Sequence, residues 1–332
     1  MKKVLLTGAG SVDSLQIIES EIPEPGAGEV LVKVEAAGVA FADVMMRHGK
    51  YPGAPKFPFT PGYDVAGRIE KLGENPGEFN AGDRVVGMMQ FGGYSQYAVI
   101  SVNRLLKVPE KLPASELVCL PLNYVTAYQM LRQSGKLKAG SVILVHSAAG
   151  GVGTALLQLA EHHDIKVYGT ASNLKHDVVK ACGGIPIDYK NEDFTEYVRR
   201  FEPDGIDAVF DPIGGEHLLK SHLLLKKGGS LVGFGMLSMF EKDRVVSGFL
   251  KSIMIILKLK IFSKGRKFIF YGINFKKDPE GYIRDLQSVL DLYAAGKIKP
   301  LVGRILPLEE VREAHELLSN GRVSGKIVLD CG

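Results

Sequence analysis

The chain has 332 residues, which is too long for one domain of ordinary size and suits two, each with its own core. A formal net charge of +4 is too small to indicate a nucleic-acid-binding protein, and no basic block is interleaved with aromatic residues. The 3 cysteines stand far apart without a C-x-x-C pair, which argues against a disulfide framework and predicts a reducing compartment, the cytoplasm.

From Met1 to about Leu112 the chain shows short alternating runs broken by glycine and proline, which is typical of an irregular, mostly antiparallel β domain. Gly8-Ala9-Gly10 is similar to a dinucleotide-binding loop, but the strand-like run that follows it favours a hairpin. The clearest strands are predicted at Val30–Val34, Val65–Ile69 and Tyr94–Val99. A helix is predicted over Ser115–Leu131, before a polar linker at Lys136–Gly140.

The chain is organised around the stretch Val142–Ala160, which has the pattern of strand, glycine turn and helix. The turn matches A-x-G-x-x-G, with Ala148 in place of the first glycine and Gly150 and Gly153 as the other two. Helix N-termini present free N–H groups and a positive dipole end, so the turn is predicted to bind the pyrophosphate of a dinucleotide. The alternative is a turn that only packs the helix on the strand.

Strands and helices alternate after this turn, which predicts βαβ units and a parallel sheet. The most apolar segment, Phe249–Phe262, is interrupted by lysines and is not expected to span a membrane, although it permits peripheral membrane contact. Strands are predicted at Lys166–Thr170, Ile185–Asp188, Ile206–Phe210, Ser230–Phe234, Lys267–Ile273, Leu301–Ile305 and Lys326–Leu329, and helices begin near Leu174, Phe194, His217, Gly281 and Leu308.

The residues after the second strand of this region indicate which dinucleotide binds. An NAD site would carry an Asp or Glu about 20 residues past the glycine motif, where a carboxylate holds the ribose. The chain instead has Ser172 and Lys175 there, a hydroxyl and a cation that suit a 2′-phosphate. NADPH is therefore favoured over NADH, with an exposed helix-start lysine as the alternative for Lys175.

Several motifs in this order resemble the medium-chain dehydrogenase/reductase superfamily, namely GYDVAG at 62–67, AGDRV at 81–85, HSAAGGVG at 146–153, GTAS at 169–172 and GKIVL at 325–329. AAGGVG and Tyr189 are similar to its zinc-free NADPH:quinone oxidoreductase branch, and NYVTAY at 123–128 with DPIGG at 211–215 to the vesicle amine transport protein subgroup. The resemblance implies an α/β fold: a Rossmann-type doubly wound parallel sheet over residues 123–274, and an irregular, mostly antiparallel GroES-like substrate domain over 1–122 and 275–332.

The resemblance also implies site residues. The zinc ligands of related alcohol dehydrogenases would fall at Ala40 and Tyr63, neither of which replaces them, so no zinc and no sensitivity to chelators are expected. Ala40 also stands where the branch often has Asn, which leaves the catalytic residue and proton donor unassigned. The implied cofactor contacts are Thr126, Gly150, Gly151, Val152, Thr170, Ser172, Lys175, Tyr189, Phe234, Gly235 and Met236, with Arg322 or Lys326 as a second cation.

The implied activity is zinc-independent hydride transfer from NADPH to a small-molecule electron acceptor, a quinone or an α,β-unsaturated carbonyl. The alternative is an NADPH-binding protein that acts mainly through protein or membrane-surface interactions. An apolar edge strand at Lys267–Ile273 predicts a homodimer with a continuous sheet, unless residues 249–262 cover that edge. For each tyrosine among the expected pocket residues, a place in the core is the alternative. The side chains expected to line the substrate pocket are Phe41, Met45, Tyr51, Tyr63, Phe91 and Tyr94.

Overall fold

The computed structural model describes residues 1–135, 137–235, 237, 254–255, 257–259, 265–273 and 275–332. The chain forms two compact units, the first made of Met1–Val125 with Asn274–Gly332 and the second of Thr126–Ile273. The first boundary thus falls after residue 125, where the sequence predicted 122, and the second after 273, where it predicted 274.

Both units contain β-sheets, and their strands are numbered here in chain order. These are β1 (Lys2–Leu6), β2 (Leu15–Glu19), β3 (Glu29–Val39), β4 (Asp64–Leu72), β5 (Arg84–Met88), β6 (Tyr97–Ser101), β7 (Leu105–Lys107), β8 (Val142–Val145), β9 (Lys166–Ala171), β10 (Ile185–Asp188), β11 (Ile206–Asp211), β12 (Leu225–Gly233), β13 (Lys267–Phe270), β14 (Val302–Pro307) and β15 (Lys326–Asp330).

The α-helices lie mainly between these strands. They are α1 (Phe41–Arg47), α2 (Ala114–Leu117), α3 (Val125–Gln133), α4 (Gly151–His162), α5 (His176–Ala181), α6 (Phe194–Phe201), α7 (His217–Leu223), α8 (Pro279–Ala294) and α9 (Val311–Ser319).

The first unit is built on a mostly antiparallel sheet with the order β14-β15-β3-β4-β5-β7, in which β6 also pairs with β3. The run around Gly8-Ala9-Gly10 joins β1 and β2 into an antiparallel hairpin, with Leu6 opposite Leu15, which confirms the hairpin interpretation. The strand predicted from Tyr94 is wrong at its start, because β6 begins only at Tyr97. The backbone before it forms hydrogen bonds to β1 and to the loop at Pro61. This mostly antiparallel sheet is the one that the sequence predicts for the first domain.

The second unit contains a parallel sheet with the order β10-β9-β8-β11-β12-β13. Its chain order reverses between β8 and β11, the arrangement that opens a crevice at the carboxyl ends of the strands in doubly wound folds. A buried apolar cluster that includes Leu144, Val209 and Leu231 holds the sheet against its helices. The predicted Rossmann-like sheet is therefore confirmed, and its glycine turn follows β8 at the reversal point.

The single helix predicted over Ser115–Leu131 is interrupted. After α2 ends at Leu117, a π-helical turn occupies Leu120–Tyr124, and α3 follows it. Pro121 lies in that turn and has no backbone N–H to donate, so a regular α-helical ladder cannot pass through it.

Among the described residues, no helix is long and apolar enough to cross a bilayer. The segment 249–262 lies mostly outside those residues. Of its described part, Ile255 and Leu259 are buried in the apolar cluster of the second unit, whereas Met254 and Leu257 are exposed.

Candidate functional site

The glycine turn after β8 leaves the start of α4 open to an anion. Gly150 is the N-cap residue of this helix, in extended conformation, and no side chain caps the helix there. The first N–H groups of an α-helix have no partner within the helix, and they lie at its positive dipole end. The amides at the start of α4 can therefore donate to a pyrophosphate, as the motif predicts.

Close backbone contacts explain why this turn needs small residues. A Cβ atom on Gly153 would lie 2.3 Å from the carbonyl oxygen of Ser147 and 2.6 Å from that of Ala148. Ser147 itself has φ 54, in the left-handed region, and the Ala148 amide donates to the Thr170 carbonyl at 3.0 Å. The turn is thus fastened to the end of β9, where the ribose-binding residues are expected.

The end of β9 carries a hydroxyl and a cation and no acid. Ser172 is the N-cap residue of a one-turn 3-10 helix and Lys175 is its last residue. Both are half-buried, and burial lowers the pKa of the Lys175 ammonium. Thr170 is 2% exposed, and its hydroxyl contacts His146 Nδ1 at 3.0 Å, so this side chain faces inward. Ser172 and Lys175 keep accessible surface at this edge and can contact a phosphate.

The other predicted cofactor residues of the second unit lie in several places. Tyr189 follows β10 and is 57% exposed, and Phe234 and Gly235 follow β12 and are half-buried. Thr126 is buried on α3. Except for Thr126, these residues come directly after strands of the parallel sheet, at its carboxyl edge, which is where ligands of doubly wound folds bind.

Two predicted cofactor residues do not lie in the described part of the second unit. Met236 lies outside the described residues. Arg322 is exposed, and it belongs to the first unit, in the turn between α9 and β15.

Four predicted substrate residues of the first unit keep partly exposed surface. Phe41 and Met45 lie half-buried on α1, Tyr51 follows that helix, and Phe91 packs edge-on against Phe59 with ring centroids 6.2 Å apart. Apolar and aromatic side chains with accessible surface are what a binding site for a flat, electron-poor acceptor requires.

Tyr63 and Tyr94 are instead buried. Burial raises the pKa of Tyr63, whose ring meets Tyr51 edge-on at a centroid distance of 6.1 Å. Tyr94 is fully enclosed, and its hydroxyl donates to Asp43 Oδ2 at 2.9 Å. Tyr94 thus has no surface for contact with a substrate, and it acts on the site only by holding Asp43.

Asp43 is a buried acid that the sequence did not single out. Its carboxylate accepts hydrogen bonds from the Ala40 amide at 2.9 Å, the Gly62 amide at 3.1 Å and the Tyr94 hydroxyl. Burial raises its pKa to about 6 against the opposing effect of these donors. The carboxylate fixes the loop before β4 to the start of α1, and both of its oxygens are already engaged.

A buried ion pair lies nearby, between two strands of the first unit's sheet. Lys326 Nζ is 2.6 Å from Asp64 Oδ2, and the two side chains are 1% and 0% exposed. A Cβ on Gly38 would lie 2.2 Å from both Asp64 Oδ1 and Lys326 Cε, so the pair occupies the space that a side chain there would need. Lys326 is therefore committed to this pair, which corrects its alternative role as a second cation for the cofactor.

The residues at the expected zinc positions do not fit zinc. Ala40 has no ligand atom, Tyr63 is neutral and buried, and the nearby Asp43 carboxylate is saturated by three donors. Zinc sites in proteins use thiolate, imidazole or carboxylate ligands. Within the described ranges, three or more such groups converge only in the second unit, around His146.

Comparison with known proteins agrees with this architecture. Residues 26–110 match the family model described as alcohol dehydrogenase GroES-like domain, and residues 184–329 match the one described as zinc-binding dehydrogenase. The chain is 35% identical over 344 residues to a synaptic vesicle membrane protein VAT-1 homolog of Danio rerio, covering 99% of this chain and 69% of that protein.

A second relative and a solved structure are both named as an enzyme, quinone oxidoreductase. The chain is 32% identical over 316 residues to a human quinone oxidoreductase, covering 93% of this chain and 91% of that protein. It is similar to the structure of Escherichia coli quinone oxidoreductase complexed with NADPH, with a TM-score of 0.88, 26% identity, and 99% and 100% of the two chains covered. The chain belongs to the medium-chain dehydrogenase/reductase superfamily, in the zinc-free branch that contains the VAT-1 homologues and the quinone oxidoreductases.

Proposed function

We propose that this protein is an NADPH-dependent reductase that passes hydride to a quinone or to the double bond of an α,β-unsaturated carbonyl without zinc. The observation that carries the proposal is the uncapped start of α4 beside a β9 end with Ser172 and Lys175 and no acid. The NADPH complex of the Escherichia coli quinone oxidoreductase, a protein of the same fold, supports the choice of cofactor.

Bound NADPH supplies a hydride from the nicotinamide C4 atom. The protein's own contribution is binding and orientation: the amides at Gly151–Gly153 hold the pyrophosphate, and Ser172 and Lys175 bind the 2′-phosphate. The half-buried Phe41 and Phe91 offer apolar contacts to a flat acceptor and exclude water from it. Quinones and enones both have an electron-poor carbon or oxygen atom that can accept the hydride.

The test is a scan of NADPH oxidation by the purified protein against a panel of quinones and enones. We expect turnover with at least one acceptor class and an unchanged rate after dialysis against EDTA, because no step depends on zinc. Loss of turnover on chelation, restored by added zinc, would contradict the zinc-free mechanism.

Lys175→Ala is expected to weaken NADPH binding at least tenfold and to leave NADH binding unchanged. A hydrogen bond to a charged group contributes about 1.5–3 kcal/mol, and about 1.4 kcal/mol corresponds to a factor of ten in affinity. Fluorescence titration with each cofactor measures the ratio of the NADPH and NADH affinities in the variant and in the unmodified protein. The control is Lys180→Ala, which removes the same charge from the far part of α5. Equal affinity of the unmodified protein for NADPH and NADH would refute this assignment.

We also propose a homodimer in which β13 pairs with its copy. In the described part of the sheet β13 is the edge strand, and Phe270 is 48% exposed. The Tyr271 amide donates to the Gly233 carbonyl of β12 at 2.7 Å. Because successive amides of a strand point to opposite sides, the Phe270 amide points away from β12, towards the open edge. An apolar edge of this kind is satisfied by an identical strand across a two-fold axis.

Phe270→Pro is therefore expected to give a folded monomer or aggregates, because proline removes an outward donor and spares the ladder to β12. Phe270→Ser keeps the amide and is the matched control, expected to remain dimeric. Light scattering at micromolar concentration measures both. A monomeric unmodified protein would exclude the dimer.

A second candidate function is an NADPH-binding protein that works through its surface with little turnover. The observation in its favour is the similarity to VAT-1 homologues that are named as synaptic vesicle membrane proteins. Tight NADPH binding without oxidation by any acceptor would favour this function. Under either function we place the protein in the cytoplasm, a setting that its 3 free, buried cysteines support.

A further inference from the structure

Four polar side chains meet inside the second unit, where β8 and β11 end. His217 Nδ1 lies 2.8 Å from Asp211 Oδ2, and the Ser221 hydroxyl lies 2.8 Å from the same oxygen. Ser221 Oγ is also 3.2 Å from His146 Nε2. The ligand atoms of His146, Asp211 and His217 all lie within 4.8 Å of one another. No part of the proposed hydride transfer uses this cluster.

The donor types of this cluster suit a metal ion. Imidazole nitrogen and carboxylate oxygen are common zinc ligands in proteins, and the cluster brings two imidazoles together with one carboxylate.

The size of the cluster matches a four-coordinate site. Zinc with bonds of about 2.0–2.1 Å in tetrahedral geometry places its ligand atoms about 3.3 Å apart. The three measured edges of the cluster, 2.8, 2.8 and 3.2 Å, fall just below that value. The ligand atoms of His146, Asp211 and His217 lie within 4.8 Å of one another, so a metal ion would need these groups to rearrange around it.

We propose that His146, Asp211 and His217, with the Ser221 hydroxyl at the fourth corner, bind a divalent transition-metal ion of the zinc class. Two imidazoles with one carboxylate form a donor set that suits zinc and the neighbouring first-row ions, and oxygen-preferring magnesium or calcium would be disfavoured. This site is separate from the positions of Ala40 and Tyr63, which belong to the other unit.

Outer partners hold the buried ligands in place. His146 Nδ1 lies 3.0 Å from the Thr170 hydroxyl, which can accept a hydrogen bond from the Nδ1–H group when Nε2 binds metal. Asp211 Oδ1 accepts the Ile213 amide at 2.8 Å and the Gly214 amide at 3.1 Å, which leaves Oδ2 for the ion. Second-shell bonds of this kind orient ligands in zinc sites.

His217 is the residue past which a metal ion can reach the buried cluster. Its side chain is 23% exposed, whereas that of Asp211 is fully buried. It lies on the first turn of α7, where a rotamer change can open the cluster to an ion. In the metal-free protein the four groups satisfy one another by hydrogen bonds, and binding must replace those bonds, so we expect a site that fills on addition of metal.

The test is calorimetric titration of zinc into EDTA-dialysed protein, with Co²⁺ as a spectroscopic probe. We expect one zinc per chain, the visible absorption of tetrahedral Co²⁺, and a zinc-dependent rise in Tm by mass action. His217→Gln is expected to lower zinc affinity at least about tenfold and to abolish the Co²⁺ band. Its amide can still donate to Asp211, so the metal-free fold should be kept.

The exposed pair His162 and His163 lies at the end of α4, with its ring centroids 5.1 Å apart. Two neighbouring imidazoles at the surface could also bind zinc, so this pair is the control for surface binding. The double variant His162→Ala/His163→Ala should bind zinc as the unmodified protein does. The proposal is overturned if no zinc binds, or if binding survives His217→Gln and disappears with the double variant. Both results are independent of NADPH turnover.

Discussion

His315→Leu is expected to make the protein much less sensitive to acid. His315 is fully buried on α9, and among the described residues neither of its ring nitrogens has a hydrogen-bond partner. Burial lowers its pKa from 6.5 to about 3. The unfolded chain therefore binds a proton that the folded chain does not, so stability is full above pH 6.5 and falls as the pH drops towards 3.

The expected contribution is about 5 kcal/mol over that range, because each pKa unit corresponds to about 1.36 kcal/mol. Leucine also removes two buried polar atoms without partners, so the variant should be no less stable at pH 7. Urea unfolding at pH 7, 5 and 4 measures the difference. His146, with a pKa lowered to about 3 as well, adds the same dependence to both proteins and cancels in the comparison.

The control for this experiment is His162→Leu, which changes an exposed histidine at the end of α4. Its pH profile should follow that of the unmodified protein. If His315→Leu loses stability in acid as steeply as the unmodified protein, His315 is not the group responsible.

Lys326→Met is expected to cost about 3–5 kcal/mol of stability at pH 7, the usual loss when one partner of a buried ion pair is removed. Asp64 would then be left fully buried without its cation, in a place where burial already raises its pKa. Protonation of Asp64 relieves part of this cost, so the loss should shrink as the pH falls.

The double variant Asp64→Asn/Lys326→Met removes both charges and should recover most of the loss. Chemical denaturation of Lys326→Met, Asp64→Asn and the double variant gives the coupling energy. A Lys326→Met protein within about 1 kcal/mol of the original at pH 7 would show that the pair contributes little. Lys33→Met, an exposed lysine on the neighbouring β3, is the control for losing a lysine from this sheet.

The sequence predicts the second unit well because its patterns are local. The strand predicted at the start of the stretch 142–160 forms β8, and the strand predicted at 185–188 forms β10 with those limits. The glycine turn lies at the reversal point of the sheet. Each of these features depends on neighbouring residues, on β-branched side chains and glycine spacing, which the linear pattern displays.

The buried polar groups could not be predicted in the same way. Asp64 and Lys326 are separated by most of the chain, and only the pairing of β15 with β3 and of β3 with β4 brings them together. Thr170 belongs to the predicted ribose strand, yet its hydroxyl faces His146. Tertiary packing decides such partners, and the identity of the residue alone does not reveal them.

The position of β15 in the sheet determines the order in which the chain can fold during its synthesis. β15 lies between β14 and β3, and Ile327 pairs with Val39, so the stretch Ala36–Val39 gains this neighbour only when residues 326–330 leave the ribosome. Residues 126–273 form one continuous stretch and can close earlier. Until residues 326–330 have emerged, the nascent chain therefore presents an unfinished strand edge, the kind of surface that chaperones shield.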